Sequence, residues 1–182
     1  MDDKEIRQIV QNVVRNVAGS PQTEPASVQT SGKKIVALGA DHGGFELKGI
    51  LKTEIESLSF VVIDMGTNSK EPVDYPDFAH AVAQMVGTGR AWRGIMIDGA
   101  GIGSCIVANK VPGVRAGMAY DVSSAANSRE HNDTNVLTLG AGLVGVNLAK
   151  QIVKVWLITD FGGDRHAKRV DKIKSVEKAY LK

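Results

Sequence analysis

The chain has a single cysteine, Cys105, among 182 residues. One thiol excludes an internal disulfide and any multi-cysteine metal site, and it fits a reducing compartment. No apolar run approaches the ~18 residues of a membrane span, so no transmembrane helix is expected. An excess of charge is missing too: 22 Lys and Arg stand against 20 Asp and Glu, a net charge of +2. That balance gives no broad attraction for nucleic acid or anionic lipid. Aromatic residues make up only 5%. What is present is an ordinary globular composition, 43% hydrophobic and 23% charged, which excludes a wholly disordered or fibrous chain. The length suits about one domain. Glycine is plentiful, at 20 residues. In that amount it points to tight strand-to-helix turns, and such turns often meet phosphates.

Residues 1–32 differ from the rest. Ile6, Ile9, Val10, Val13, Val14 and Val17 recur at helical spacing and form one stripe. Asp2, Asp3 and Glu5 near the start and Arg15 near the end suit the helix dipole. Gly19 and Pro21 end the pattern, so an amphipathic helix is expected over residues 1–18. Residues 19–32 are rich in Ser, Thr, Gln and Pro and read as a flexible linker. The acidic start and the lack of a continuous apolar core argue against a secretory signal. A helix this short is marginal alone in water, so its Val-rich stripe needs a partner surface. That surface is either the protein's own subunit or oligomer, or a separate partner to which the helix recruits the rest. A disordered tail is the third reading.

From Lys33 the pattern alternates. KKIVALGA, FVVIDMG, RGIMIDG, VRAGMAY and NVLTLGA read as short buried strands. FELKGILKTEIESL, residues 77–87, GSCIVANKV, residues 122–130, residues 144–159 and the stretch from Arg165 onward read as helices. Alternating strands and helices indicate an α/β fold with a five-stranded parallel sheet covered on both faces, solved most simply by a doubly wound open sheet.

Ligands of such a sheet bind outside the carboxyl ends of its strands. Four segments are expected to supply polar groups there. Gly39–Gly44 ends the first strand and contains Asp41 and His42, either a base with its orienting partner or a helix cap beside a surface imidazole. Asp98–Ser104 ends the third strand. Its glycines at 99, 101 and 103 let backbone N–H groups approach an anion at a helix start, or simply make a tight turn. The third glycine comes too early for a dinucleotide fingerprint. Arg129–Asp133 precedes the fifth strand. Gly162–Arg169 follows the last long helix, where Arg165 and Arg169 share a helix face beside His166. Two guanidiniums there form a phosphate clamp or a solvated basic face.

Taken together, the motifs GADHGGFELK, VDYPDFA, GIGSCIVANKVPGVRA, SREHNDTNVLTLGA and GGDRHAKRV resemble the ribose-5-phosphate isomerase B family, which also includes the galactose-6-phosphate isomerase subunits. The resemblance covers about residues 33–173, within a domain spanning residues 33–182. It implies a Rossmann-like three-layer αβα sandwich. It implies aldose–ketose isomerisation of a sugar phosphate through an enediolate, without metal or cofactor, by a homodimer or tetramer whose site is shared between subunits. It further implies that Asp41 and His42 contact the sugar and Tyr75 lines the pocket. His131 would serve in ring opening, with Asn132 beside it. The loop Gly99, Ala100, Gly101, Ile102, Gly103 would stabilise the enediolate through backbone donors. Arg165 and Arg169 would hold the phosphate, with His166 next to them. Residues 1–32 lie outside this match. A helix and linker ahead of an enzyme domain resemble the encapsulation peptides of bacterial microcompartments. That implies a shell protein as partner of residues 1–18 and a cytoplasmic location inside such a compartment.

Three departures matter. Many family members place a cysteine base where this chain has Asp98, a threonine where it has Ala100, and an arginine where it has Gly142. A carboxylate is a weaker base than a thiolate, by roughly four pKa units between the free groups. Asp98 is the expected base, and Cys105, seven residues on, is the alternative. A site that binds without turnover, or that depends on a partner subunit, is the third. The substrate is expected to be ribose 5-phosphate, with another pentose or hexose phosphate as the alternative.

Overall fold

The structure is a computed structural model that describes residues 32–181. The helix expected over residues 1–18 and nearly all of the linker lie outside the described residues. Five strands follow one another with helices between them. They are β1 (Ile35–Ala40), β2 (Val61–Asp64), β3 (Arg93–Asp98), β4 (Ala116–Met118) and β5 (Val136–Gly140). The helices are α1 (Phe45–Ser57), α2 (Tyr75–Gly87), α3 (Ile102–Ala108), α4 (Val122–Asn132), α5 (Val146–Ile158) and α6 (Asp164–Tyr180). Helix α2 begins two residues before its expected start, because Pro76 needs no N–H partner in a first turn. Helix α4 begins with a capping box between Asp121 and Ser124 and runs on through Asn132.

All strand pairs are parallel, in the order β2-β1-β3-β5-β4. The chain leaves β1 toward one edge and β3 toward the other. The carboxyl ends of β1 and β3 therefore diverge, and a crevice opens there. Both faces of the sheet are covered. Leu47, Leu51 and Ile55 of α1, Ala125 of α4, and Ile152, Val153 and Trp156 of α5 pack with Leu38, Ile95, Ile97 and Leu137. Ala79, Val82 and Val86 of α2 and Ala108 of α3 pack with Ala37, Met96 and Val136 on the other face. Every residue of β3 is buried, as a central parallel strand requires.

Two buried arginines close the amino-end edge of the sheet. Arg93 is 3% exposed. It donates to the carbonyls of Trp156 at 2.6 Å, Leu157 at 2.9 Å and Thr159 at 3.2 Å, the acceptors that the end of α5 leaves unpaired. Its guanidinium lies 4.0 Å from the Trp92 ring and 5.1 Å from that of Trp156. Burial, reinforced by nearby Arg129, pushes the Arg93 guanidinium down to about 9. Arg129 donates to Thr159 O at 3.3 Å, Asp133 Oδ1 at 2.9 Å and Thr134 O. The Trp156 indole N–H donates to Thr134 Oγ1 at 3.0 Å, which ties the same turn to the core.

Candidate active site

At the carboxyl-end edge, Asp41 follows β1 directly and Asp98 ends β3. Ala40 and Ile97 are register partners, so the two carboxylates sit on neighbouring strands at the crevice. Asp41 is 7% exposed. Its Oδ1 accepts the Gly44 N–H at 3.0 Å, and its own N–H donates to Ile97 O at 3.1 Å. His42 is exposed and turns elsewhere: its Nδ1 lies 3.2 Å from both the N and the O of Val73. The pair is therefore not a base with its orienter. Asp41 holds a local turn with one oxygen, and His42 fastens the segment that leads into α2. Tyr75, 38% exposed, lays its ring over Gly103. A Cβ at 103 would stand 2.4 Å from Tyr75 Cζ, so only glycine permits this contact.

Asp98 is 4% exposed, and both of its oxygens are engaged. Oδ1 accepts the Ala100 N–H at 2.9 Å and the Gly101 N–H. Oδ2 accepts the Ser104 N–H at 3.2 Å and the Ser104 hydroxyl. The expected base thus lies in the glycine loop itself and takes the donors of Ala100 and Gly101 that were expected to meet an enediolate. The physical reason is local. A carboxylate ending a strand just before a helix start is within reach of the start's orphan N–H groups. Gly101 adopts φ +80°, which a side chain rarely accepts, and packs 2.9 Å (measured from an added Cβ) from the Leu139 carbonyl carbon. The N–H groups of Gly99, Ile102 and Gly103 find no partner among the described residues. Cys105, the alternative base, is half-buried on α3, with its Sγ 3.6 Å from Ala116 O. Burial pushes its thiol up, away from the thiolate a base requires.

The other two segments stand at the opposite edge, which corrects the expectation that all four meet at the carboxyl ends. Residues 129–133 close α4 just before β5 enters the sheet, and α6 starts beside them: Gly162 N–H donates to Glu130 O at 2.9 Å. A helix returning between parallel strands delivers its last turn to the amino end of the next strand, so this placement follows from topology. Gly140, at the far end of β5, pairs with Asp98. Four strand steps of ~3.3 Å separate the edges by ~13 Å, with the sheet itself between them.

The amino-end group is well organised. The His131 and His166 rings stack at 4.1 Å with 7° between their planes. His131 Nδ1 lies 2.8 Å from Asn127 Nδ2. With that amide donating, Nδ1 accepts and the neutral ring carries its proton on Nε2. His166 is 8% exposed, and its Nδ1 is buried with no partner among the described residues. Burial first, then His131, Arg165 and Arg169, hold the His166 imidazole below its ordinary range. Asn132 Nδ2 donates weakly to Asn127 O at 3.4 Å. Arg165 and Arg169 are exposed, and neither pairs with a carboxylate among the described residues.

Two contributors were not anticipated. Ser104, fully buried, is the side-chain partner of Asp98. Lys48, 3% exposed, donates to Asp64 at 2.5 Å and to Thr67 O at 2.7 Å, which pins the loop after β2 beside the crevice. A lysine on the apolar face of an amphipathic helix was the available signal for it. Among the described residues no three metal-ligating side chains converge. No described helix is long and apolar enough to cross a membrane.

Known proteins share this architecture. Residues 36–173 match the ribose/galactose isomerase family. The chain is 45% identical to ribose-5-phosphate isomerase B of Escherichia coli (strain K12), covering 79% of this chain and 97% of that one. It is 46% identical to the putative sugar phosphate isomerase YwlF of Bacillus subtilis (strain 168), covering 80% and 99%. The solved ribose-5-phosphate isomerase B of Clostridium thermocellum superposes with a TM-score of 0.79 at 48% identity, covering 80% and 99%. With the same parallel sheet and a match over most of its length, this chain belongs to the ribose/galactose isomerase family.

Proposed function

We propose that the protein interconverts an aldose phosphate and a ketose phosphate through an enediolate, with ribose 5-phosphate and ribulose 5-phosphate as the pair. One observation carries the reading. Among the described residues, two guanidiniums without a carboxylate partner flank a stacked histidine pair at one edge, while carboxylates and unpaired loop N–H groups line the crevice at the other. The first set suits a phosphate and a ring oxygen, and the second suits the reacting carbons. The sheet separates them within one chain, so the site is completed by a second copy in a homodimer or tetramer. Arg165 and Arg169 then grip the phosphate beside His166, and His131 opens the sugar ring with Asn132 next to it. Asp41 and His42 of the other copy meet the sugar hydroxyls, and Tyr75 walls the pocket. Fixing the phosphate brings the open chain to the loop, and the alignment itself speeds the reaction.

The test is a coupled assay of the purified protein across four-, five- and six-carbon sugar phosphates. Turnover is expected to be fastest with ribose 5-phosphate and to be abolished in His131→Ala. A second reading, binding without turnover, is favoured by the engagement of both Asp98 oxygens. It predicts saturable ligand binding with no product from any sugar of the panel.

Residues 1–18 are proposed to recruit the enzyme into a bacterial microcompartment by docking on a shell protein, with residues 19–32 as tether. Deleting residues 1–32 is expected to leave turnover intact and to abolish co-assembly with shell proteins. Loss of folding or of the oligomer on deletion refutes this and assigns the segment a structural role.

A further inference from the structure

We propose that the two carboxylates at the crevice divide the work: Asp98 is a positioning residue that shapes the loop 99–104, and Asp41 carries the proton between the sugar carbons. This rests on the isomerase reading above. A base must offer a bare lone pair to a C–H bond. Asp98 has none to offer: two N–H groups converge on one oxygen, and an N–H and a hydroxyl on the other. Its partners cannot drift to solvent, because Ser104 is fully buried and Gly101 is wedged against the end of β5. Freeing either oxygen would undo two charge-assisted bonds and release the start of α3.

Asp41 differs in each respect. Only one of its oxygens accepts a hydrogen bond, from the Gly44 N–H, and the other has no partner among the described residues. Gly43 marks where this carboxylate faces the loop. A Cβ there would stand 3.3 Å from Asp41 Oδ1 and 3.7 Å from the Gly99 nitrogen. Oδ1, the oxygen that holds the Gly44 N–H, thus lies beside the Gly99 nitrogen across a spot kept open by the lack of a side chain, and Oδ2 is left as the oxygen without a partner among the described residues.

The loop donors divide in the same way. Those of Ala100, Gly101 and Ser104 are committed to Asp98, and those of Gly99, Ile102 and Gly103 remain for an oxyanion. In the reaction, the free Asp41 oxygen takes the proton from the carbon beside the carbonyl. The C–H electron pair becomes the enediolate double bond, and the carbonyl oxygen takes up the charge. The same carboxyl returns the proton to the neighbouring carbon while the hydroxyl proton passes between the two oxygens, so nothing is consumed.

Two measurements test this on the full-length chain. The first is amide hydrogen exchange without ligand. Asp98→Ala is expected to speed exchange at Ala100, Gly101 and Ser104 by about tenfold or more, the scale of one lost hydrogen bond to a charge. Asp41→Asn is expected to leave these amides unchanged. Unaltered exchange in Asp98→Ala overturns the positioning role. Should Asp98→Ala fail to fold, Ser104→Ala is expected to quicken the same amides by a smaller factor, and no change there overturns it equally. The second is steady-state turnover of ribose 5-phosphate. Asp98→Asn keeps an acceptor oxygen and is expected to hold kcat within about tenfold while KM rises. Asp41→Asn is expected to lose about 10²–10⁴ in kcat, the usual worth of a general base. The reverse pattern, a collapse of kcat in Asp98→Asn at unchanged KM, overturns the assignment. If the wild type turns over no sugar phosphate, the isomerase reading fails, and the exchange measurement still decides the role of Asp98.

Discussion

Gly44, the residue before α1, sets how closely that helix approaches the sheet. Its backbone sits at φ −93° and ψ −5°, a conformation open to any residue, so a substitution meets only steric resistance. A Cβ there would lie 2.4 Å from Ile97 O, 2.8 Å from Ile97 Cγ2 and 2.9 Å from the Ile97 carbonyl carbon. These atoms belong to the buried central strand and cannot step aside. An ordinary contact needs about 1 Å more, which the start of α1 must supply by lifting off β3. The move stretches two bonds that set Asp41: Gly44 N–H to its Oδ1 and Asp41 N–H to Ile97 O. Overpacking of this kind costs about 2–3 kcal/mol. For a domain of this size that lowers the melting temperature of Gly44→Ala by roughly 4–12 °C. Gly49 is the control. It lies in the same helix with nothing near its missing Cβ. Gly49→Ala is expected to gain about 0.5–1 kcal/mol, or roughly 1–4 °C, from helix propensity alone. Differential scanning calorimetry of the two variants measures both. A Gly44→Ala protein melting at or above wild type would falsify the claim that helix-to-strand contact sets this corner, and would remove the steric basis for the placement of Asp41.

Three further outcomes are expected. Arg169→Met should raise KM for ribose 5-phosphate about 10–100-fold with kcat little changed, as the loss of a charge-assisted phosphate contact requires; an unchanged KM in steady-state kinetics removes Arg169 from the clamp. Mixing Asp41→Asn with His131→Ala, each nearly inactive alone, should restore about a quarter of wild-type activity after subunit exchange, because half the molecules become mixed dimers with one intact site each; absence of recovery, with exchange verified by mass spectrometry, contradicts a shared site. The fold holds His166 with a lowered proton affinity, so the unfolded chain binds the extra proton first and stability should fall as pH drops below about 6.5. Denaturant midpoints from pH 8 to 5 should show that decline, and His166→Gln should flatten its His166 share.

The fold was legible because apolar periodicity and glycine punctuation agree throughout residues 33–182. Each strand found in the structure lies inside a segment read as a strand, and each helix starts within two residues of its expected place. The arrangement of the candidate site was less legible. Segments 129–133 and 162–169 were assigned to the wrong edge because their polar character was weighed and the direction of the crossover helix was not. Asp98 was read as a base because it stands where many family members place a cysteine base. Where its carboxylate points is set by the N–H groups of Ala100, Gly101 and Ser104, two to six residues on, which sequence type does not show. Arg93 and Lys48 escaped notice because a cation at the end of a strand, or on a helix of mixed face, looks solvated until the surrounding carbonyls are in place.

The turn between α5 and α6 is held by Arg93 and Arg129 through a shared acceptor, Thr159 O, and reaches the interior through Trp156 and Thr134. That chain of contacts makes a fully buried side chain a support of the turn that launches α6. A lineage whose tryptophan at 156 drifted to a smaller side chain would loosen the turn from which α6, with Arg165 and Arg169 near its start, sets out. Because Trp156 is fully buried, such a drift would lower stability by about 3–5 kcal/mol at the same time, so this tryptophan ties the set of the turn to the stability of the whole fold.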